Sequence, residues 1–413
     1  VFNFLDDASN ARNARVCQQW NEIALDILWH DAQNLYCLFN LLSPLELSSD
    51  SRRFKVFSVT PTPHAWDRFR GYARRVRRLR HSQYHWKQLD RRTFLEIAGT
   101  RPHDQEILPN MHTFMWEDDP LFSVMFMHDR VTSYTMGLPE HLEPLSVAVT
   151  LFPKIIRQMP NITHIDMQAD AAIGIIEPQT IQLLGALPRL ISVTLPHYHF
   201  TTTIAECLSR LKDLSRIHLE NWERCTRGDP NDTKKFNPNL GRGAFPALKE
   251  LSFIASFHDA GRFLQSLPAP SQMKTFRIQS QEFETRDAFR MLILWVASEC
   301  PEIEVLSFGS LIFPDDYSVS EGTLLSEKIN IDTIRPLLRN KKLTSLNFEH
   351  QYPLNLSYAD LEEISSAWPI IDTLLLNPTP GHFFTSDLTV NALIPFARNC
   401  RNLVELGLFF DAT

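Results

Sequence analysis

The residues of this sequence best suited to chemistry are polar ones spaced two apart. His164, Asp166 and Gln168 form one such triplet. Others are Arg216, His218 and Glu220, then Thr275, Arg277 and Gln279, then Ser345, Asn347 and Glu349. In an extended segment alternate side chains share a face, so each triplet would present three polar groups together. The chemistry this allows is recognition. A planar guanidinium such as that of Arg216 or Arg277 grips a carboxylate or phosphate with two bonds. A mixed-sign polar surface suits a charged or polar peptide better than a lipid, because covered polar groups must find partners.

Other reactive residue types are scattered. His197 and His199 alternate and could share one face of an extended segment, but no third ligand accompanies them. None of the fifteen histidines falls into H-E-x-x-H. The six cysteines, at 17, 37, 207, 225, 300 and 400, include no C-x-x-C pair and suit a reduced, intracellular chain. With 13 glycines, the chain has no phosphate-binding glycine loop, no dinucleotide turn and no G-x-S-x-G. The expectation is a binding protein rather than an enzyme, with no catalytic residue, metal or cofactor. About ten Arg and Lys crowd residues 68–92, with Tyr72, Tyr84 and Trp86 among them. A nucleic-acid patch is one reading. The net charge of -7 favours the other, a solvated helix followed by a strand at Val76–His81. There is no run of 18 apolar residues and no visible signal peptide, so the chain is expected in the cytoplasm or nucleus. The sequons at Asn161, Asn231 and Asn355 are read as unglycosylated.

The elements that would position the triplets follow from a repeated hexamer, apolar-x-x-apolar-x-apolar. Its plainest copies begin at Leu248, Leu343 and Leu403, with others at Ile162, Leu190, Leu214, Met273, Ile303 and Ile371 and weaker ones at Val76, Met111 and Val131. The hexamer's second half alternates as a strand does. Pro or Cys often precedes it, as at Pro160, Pro188, Pro246, Cys300 and Cys400. Proline ends the preceding helix, and the two cysteines are read as small buried hydrophobes. Helical patterns lie between copies, at Thr203–Leu211, Ala288–Ser298, Asp332–Leu338 and Leu388–Ala397. About twelve strand–turn–helix units, each unable to bury its own apolar face, predict an α/β leucine-rich-repeat solenoid over 46–413, with a curved parallel sheet inside and helices outside. The fourth and sixth positions would face the helices, and the third, fifth and seventh the concave side. Polar, Gly/Pro-rich stretches at 221–243 and 311–330 read as loops. The first could join the binding face.

Residues 1–45 differ from the rest. Asp7 or Ser9 can cap a helix beginning near Asn10, with Ala14, Cys17 and Trp20 on one face and Ile23, Ala24, Ile27 and Leu28 continuing it. Phe2, Leu5-Asp6, Ala14, Val16-Cys17, Trp20, Ala24 and Leu28-Trp29, above all the V-C-x-x-W step, resemble the F-box of substrate adaptors in cullin–RING ubiquitin ligases. The family's opening L-P-x-E lies before the point at which this sequence starts, so an upstream segment is expected. Joined to irregular repeats, the combination is similar to F-box/leucine-rich-repeat adaptors, of the divergent kind found in large fungal sets. The resemblance implies that Phe2, Leu5, Val16, Cys17, Trp20, Ile23, Leu28 and Trp29 contact a Skp-type adaptor, which joins a cullin ligase core. An unidentified target protein would lie on His164, Asp166, Gln168, Arg216, His218, Glu220, Arg277, Gln279, Asn347 and Glu349. Two alternatives are a helical module that only caps the solenoid and a repeat scaffold unconnected with ubiquitination.

Overall fold

Every hexamer becomes a strand, and the strands pair in parallel. The computed structural model describes residues 2–33, 35–49, 54–82, 88–103, 105–138, 142–220, 228–268, 270–312, 329–351, 353–380 and 385–411. It divides into two units, one of Val1–Ala171 with Ile175–Leu190 and the other of Ala172–Gly174 with Ile191–Thr413. In the first, β1 (Asp31–Ala32), β2 (Arg78–Ser82), β3 (Thr113–Glu117), β4 (Ser133–Leu138) and β5 (His164–Ala169) pair in chain order. In the second, β6 (Ser192–Leu195), β7 (Arg216–Leu219), β8 (Glu250–Ile254), β9 (Thr275–Ser280), β10 (Val305–Ser310), β11 (Ser345–Phe348), β12 (Thr373–Leu376) and β13 (Glu405–Leu408) do the same. Each unit is thus an α/β solenoid of the leucine-rich-repeat type.

A recurring hydrogen bond fixes the register. The carbonyl of each hexamer's second residue accepts two N–H groups, from the second and third residues of the next hexamer. In the first unit the acceptors run His30, Arg77, His112, Thr132. In the second they run Ile191, Ser215, Lys249, Lys274, Glu304, Thr344, Asp372. Hydroxyls at this position reinforce the ladder, as Thr163 does on the Thr132 carbonyl and Thr344 on that of Glu304. Spacing outside the strands is free by comparison. Twenty residues separate Thr113 from Ser133 and forty separate Val305 from Ser345, yet both pairs stand in register with their neighbours.

The first, fourth and sixth positions are buried from Val76 through Leu376. In the last described repeat Leu403 and Leu406 are only half-buried, with no strand beyond β13 among the described residues to cover them. One sixth position is polar. His81 on β2 is buried with its Nε2 3.0 Å from Asp118 Oδ2 and its ring 4.5 Å from that of Trp116.

The first unit opens with two helices where the sequence suggests one. Asp6 caps α1 (Asp7–Asn13) by accepting from the Ser9 N–H, and the chain breaks before α2 (Gln18–Leu28). Asn10, the only buried residue of α1, donates its side chain to the carbonyls of Phe2 and Leu5 and lies mid-helix, so the helix expected to begin near it starts at Asp7. After α2 comes β1, which pairs with β2 through Asp31↔Arg78 and Ala32↔Leu79. Among the described residues, thirteen strands therefore stand where twelve hexamers are legible. A small sheet of Leu45–Leu47, Phe54–Phe57 and Gln88–Leu89 follows no hexamer and has no counterpart in the sequence pattern. Helix α3 (Pro63–Ala73) is capped by Thr62, α4 (Arg91–Thr100) by Asp90 and α5 (Pro144–Gln158) by Glu143.

In the second unit Thr201 caps α6 (Thr202–Leu208), Ser256 α7 (Phe257–Gln265), Thr285 α8 (Arg286–Glu299) and Ser357 α9 (Tyr358–Ala367), the last in a capping box with Asp360. The helices expected at Asp332–Leu338 and Leu388–Ala397 are each part α and part 3-10, with prolines 336 and 395 where the two forms meet. Phenylalanine fills the space between helices and sheet. The Phe289 ring on α8 lies 4.9 Å from Phe308 and 4.5 Å from Phe348. The stretch read as a polar loop at 221–243 is described only from residue 228, and just beyond its far part Phe245 is buried. Within it Phe236 is buried 5.2 Å from Phe263 and 5.3 Å from Phe253, so this segment plugs the core as well as covering it. In the stretch at 311–330, residues 313–328 lie outside the described residues, and Ile329–Asn330 pairs with Leu354–Asn355 instead of remaining loop.

Candidate functional site

Two surfaces carry the residues singled out above. On α2 the polar and apolar sides are separated. Arg75, whose side chain is 6% exposed, donates to the Glu22 carbonyl and to the carboxylates of Glu22 and Asp26. Glu22 lies about 200° around the helix from Trp20, so the clamp grips the side opposite Trp20, with Ile23 on the flank between them. Those two remain exposed, Trp20 at 43%, alongside Leu5 and, at 61%, Val16. The Phe2 ring meets Trp20 edge-on at 5.5 Å. Cys17 is exposed and caps α2 through its backbone alone. Leu28 is half-buried, and Trp29 turns back onto Tyr72 at 5.4 Å. The structure thus joins Phe2 to Trp20, leaves Ile23 one turn on and Val16 before the helix exposed, and sends Trp29 inward.

The second surface is the sheet face away from the helices, where side chains of paired strands line up in rows. In the first unit one row is Arg78, Thr113, Ser133 and His164, and the next is Arg80, Met115, Thr135 and Asp166. Burial pushes the Asp166 carboxyl up to about 6, with Glu117 adding repulsion, against hydrogen bonds from Gln168 and Thr135. Its Oδ1 is buried without a partner. In the second unit the rows are Ser192, Arg216, Glu250, Thr275, Val305, Ser345, Thr373 and Glu405, then Thr194, His218, Ser252, Arg277, Ser307, Asn347, Leu375 and Gly407. His218 Nε2 lies 3.1 Å from Glu250 Oε2. Burial lowers the His218 pKa, Glu250 opposes that, and the charges of Arg277 and Arg216 add to it.

Not every expected position is open. Glu220 and Gln279, seventh in their hexamers, are buried rather than displayed. Gln279 folds over Gly309, where a Cβ would come within 2.9 Å of its Cγ. Glu349 is exposed, and its carboxylate accepts from Asn347 Nδ2. Ser252 and Ser307, which fall outside the expected target-binding set, stand on either side of Arg277 in the same row. The hexamer count alone locates them at fifth positions.

The remaining candidates are weaker. His197 and His199 sit in a buried 3-10 turn started at Pro196, not in an extended segment, and so do not share a strand face. Among the described residues, Glu106, His128 and Asp129 bring ligand atoms within 4.8 Å of one another. Both His128 nitrogens are already used, Nε2 on the Leu108 carbonyl and Nδ1 by the Arg130 N–H. Cys300 and Cys400 are buried, and burial raises the Cys300 thiol to about 12. Arg70, Arg74 and Arg77 of the basic stretch lie on or beside α3 and β2, while Tyr84 and Trp86 lie outside the described residues. No helix among the described residues is long and apolar enough to cross a membrane.

No protein-family model and no curated protein matches this chain. Among solved structures, one similar chain is that of a TLR13–ssRNA13 complex, at 13% identity and a TM-score of 0.34 over 80% of this chain. The match spans 48% of that chain, about half its length.

Proposed function

We propose that this chain is the substrate-recognition subunit of a Skp–cullin–F-box ubiquitin ligase. In this reading α1 and α2 dock on a Skp-type adaptor and the helix-free sheet face holds a target protein. The observation that supports it best is that Trp20 and Ile23 on α2, and Val16 just before it, stay exposed while Arg75 fixes the helix from the side opposite Trp20. Large aromatics in such a position dominate interfaces, and truncating one that does costs at least about 2 kcal/mol. The chain supplies binding groups, and the transfer chemistry would belong to its partners.

Trp20→Ala in the full-length protein is expected to abolish co-purification with the adaptor while circular dichroism stays unchanged. A folded variant that still captures the adaptor refutes the docking surface. A second reading, a repeat scaffold without a ligase, is favoured by β1. Its pairing with β2 makes the N-terminal helices a cap for the solenoid, which such a fold needs for its own sake.

A further inference from the structure

Arg277 sits in an unbalanced setting. Its lateral neighbours across the sheet are Ser252 and Ser307, about 4.8 Å away on each side. Both serines are buried, at 1% and 4% exposure, and neither hydroxyl has a hydrogen-bond partner. Arg277 itself is half-buried. Among the described residues no carboxylate pairs with it; Glu250 Oε2 lies instead 3.1 Å from His218 Nε2. Arg216, in the neighbouring row, adds a second positive charge whose field reaches the same histidine. A partly covered cation without a counter-charge is costly, and so are hydroxyls left without partners. A cation and two unpartnered hydroxyls therefore share one place with no carboxylate paired to the cation among the described residues.

We propose that Arg277, with Ser252 and Ser307, forms an anion subsite that takes one acidic side chain of the bound target polypeptide. The subsite rests on the reading that this sheet face binds the target, and it names the chemistry recognised there. The guanidinium supplies a bidentate grip, and the serines supply two O–H donors to the lone pairs the guanidinium leaves free. The hydroxyls are covered in the free chain, so they contribute once the Arg277 stem rises from the sheet as it takes the anion. Small residues on both sides leave that stem no lateral bulk to hold it down. Two sources share this chemistry, a carboxylate of Asp or Glu and a phosphorylated side chain.

The test uses the full chain labelled with 15N-arginine, following its Nε–Hε signals while inorganic phosphate and, separately, acetate are titrated at constant ionic strength. The Arg277 signal is identified by its loss in Arg277→Lys. Saturable movement of that signal is expected with at least one anion. Phosphate alone would mark a phosphorylated residue as the source, and acetate alone or equally a plain carboxylate. Ser252→Ala/Ser307→Ala should weaken the same titration about ten-fold, and Arg277→Gln should leave no saturable response in the remaining arginine signals near it. No saturable movement with either anion, or undiminished saturation after the serine changes, overturns the subsite. Trp20→Ala serves as a control that keeps the anion response whatever it does to adaptor capture. Failure of the subsite and failure of the ligase reading are thereby seen separately.

Discussion

Asp166→Asn should make the protein more stable, and the gain should depend on pH. The Asp166 carboxyl is pushed from 3.8 to about 6, chiefly because burial disfavours its charged form. Every tenfold change in an ionisation equilibrium is worth about 1.4 kcal/mol, so moving this carboxyl so far costs the folded state up to about 3 kcal/mol once the group is ionised. The direction follows from proton counts. Well below pH 3.8 the carboxyl is protonated in both states and imposes no penalty, and near pH 4 the penalty is still small. Between about 4 and 6 the folded chain keeps a proton that the unfolded chain loses, so stability falls as pH rises. Above about 6 the full penalty applies. Asparagine cannot ionise and keeps hydrogen-bonding capacity toward Gln168 and Thr135. Urea unfolding followed through the buried Trp116, two strands away in the same sheet, should therefore show the variant roughly 1–3 kcal/mol more stable at pH 7.5 and nearly equal to wild type at pH 4. A variant that is no more stable at pH 7.5, or that gains equally at both pH values, refutes the desolvation argument. Stability given up at this position is what a residue kept for binding would show.

The Arg75 clamp makes a second expectation. Arg75→Ala should lower hydrogen-exchange protection of α2 by roughly ten-fold while leaving β8 to β12 unchanged, because the guanidinium is the group that ties Glu22 and Asp26 to the first repeats. Equal protection in the variant would show that packing around Ala24 suffices. The clamp should also loosen in acid. Hydrogen bonding to Arg75 holds the Glu22 carboxyl below its ordinary value, so its contribution is present at neutral pH and is lost as pH falls through that lowered value. Finally, iodoacetamide at pH 8 should alkylate the exposed Cys17 and spare Cys300 until the chain unfolds, since burial keeps the latter a thiol. Rapid labelling of Cys300 in the native protein would contradict its placement.

What can be read from the sequence depends on whether spacing or distant neighbours decide a position. The first, fourth and sixth places of the hexamers are legible because a strand's period puts them on one side whatever lies between strands. The strand β1 is not. Its hexamer would run from Trp29, but the sixth place is Asn34, and the pairing with β2 rests on backbone groups that any residue carries. His81 breaks the apolar rule and is accommodated by Asp118, thirty-seven positions away and invisible to local pattern. Glu220 departs from expectation just past the end of β7, and Gln279 does so within β9 because its side chain is covered where it folds over Gly309 of the adjoining strand. The break between α1 and α2 is hidden because the apolar pattern runs through it, while Asn10 turns inward to serve two carbonyls. For the site, periodicity places Arg277 on the polar face, but that no described carboxylate pairs with it emerges only from cross-strand register.

The shared carbonyl that links each hexamer to the one before it has a consequence for synthesis. Within each unit the strands lie in the sheet in the order in which a ribosome would deliver them, and each new strand finds its acceptors on the strand already made. A nascent unit can therefore lengthen rung by rung without waiting for its far end, and its growing edge is always the most recently emerged segment. That edge is an unpaired parallel strand, the feature most prone to pairing with another chain. A pause in translation would be safest just after the helix that follows a strand has covered its apolar side. It would be most hazardous between Asp31 and Arg78, where β1 waits longest for its successor, and next between Val305 and Ser345, where β10 waits forty residues.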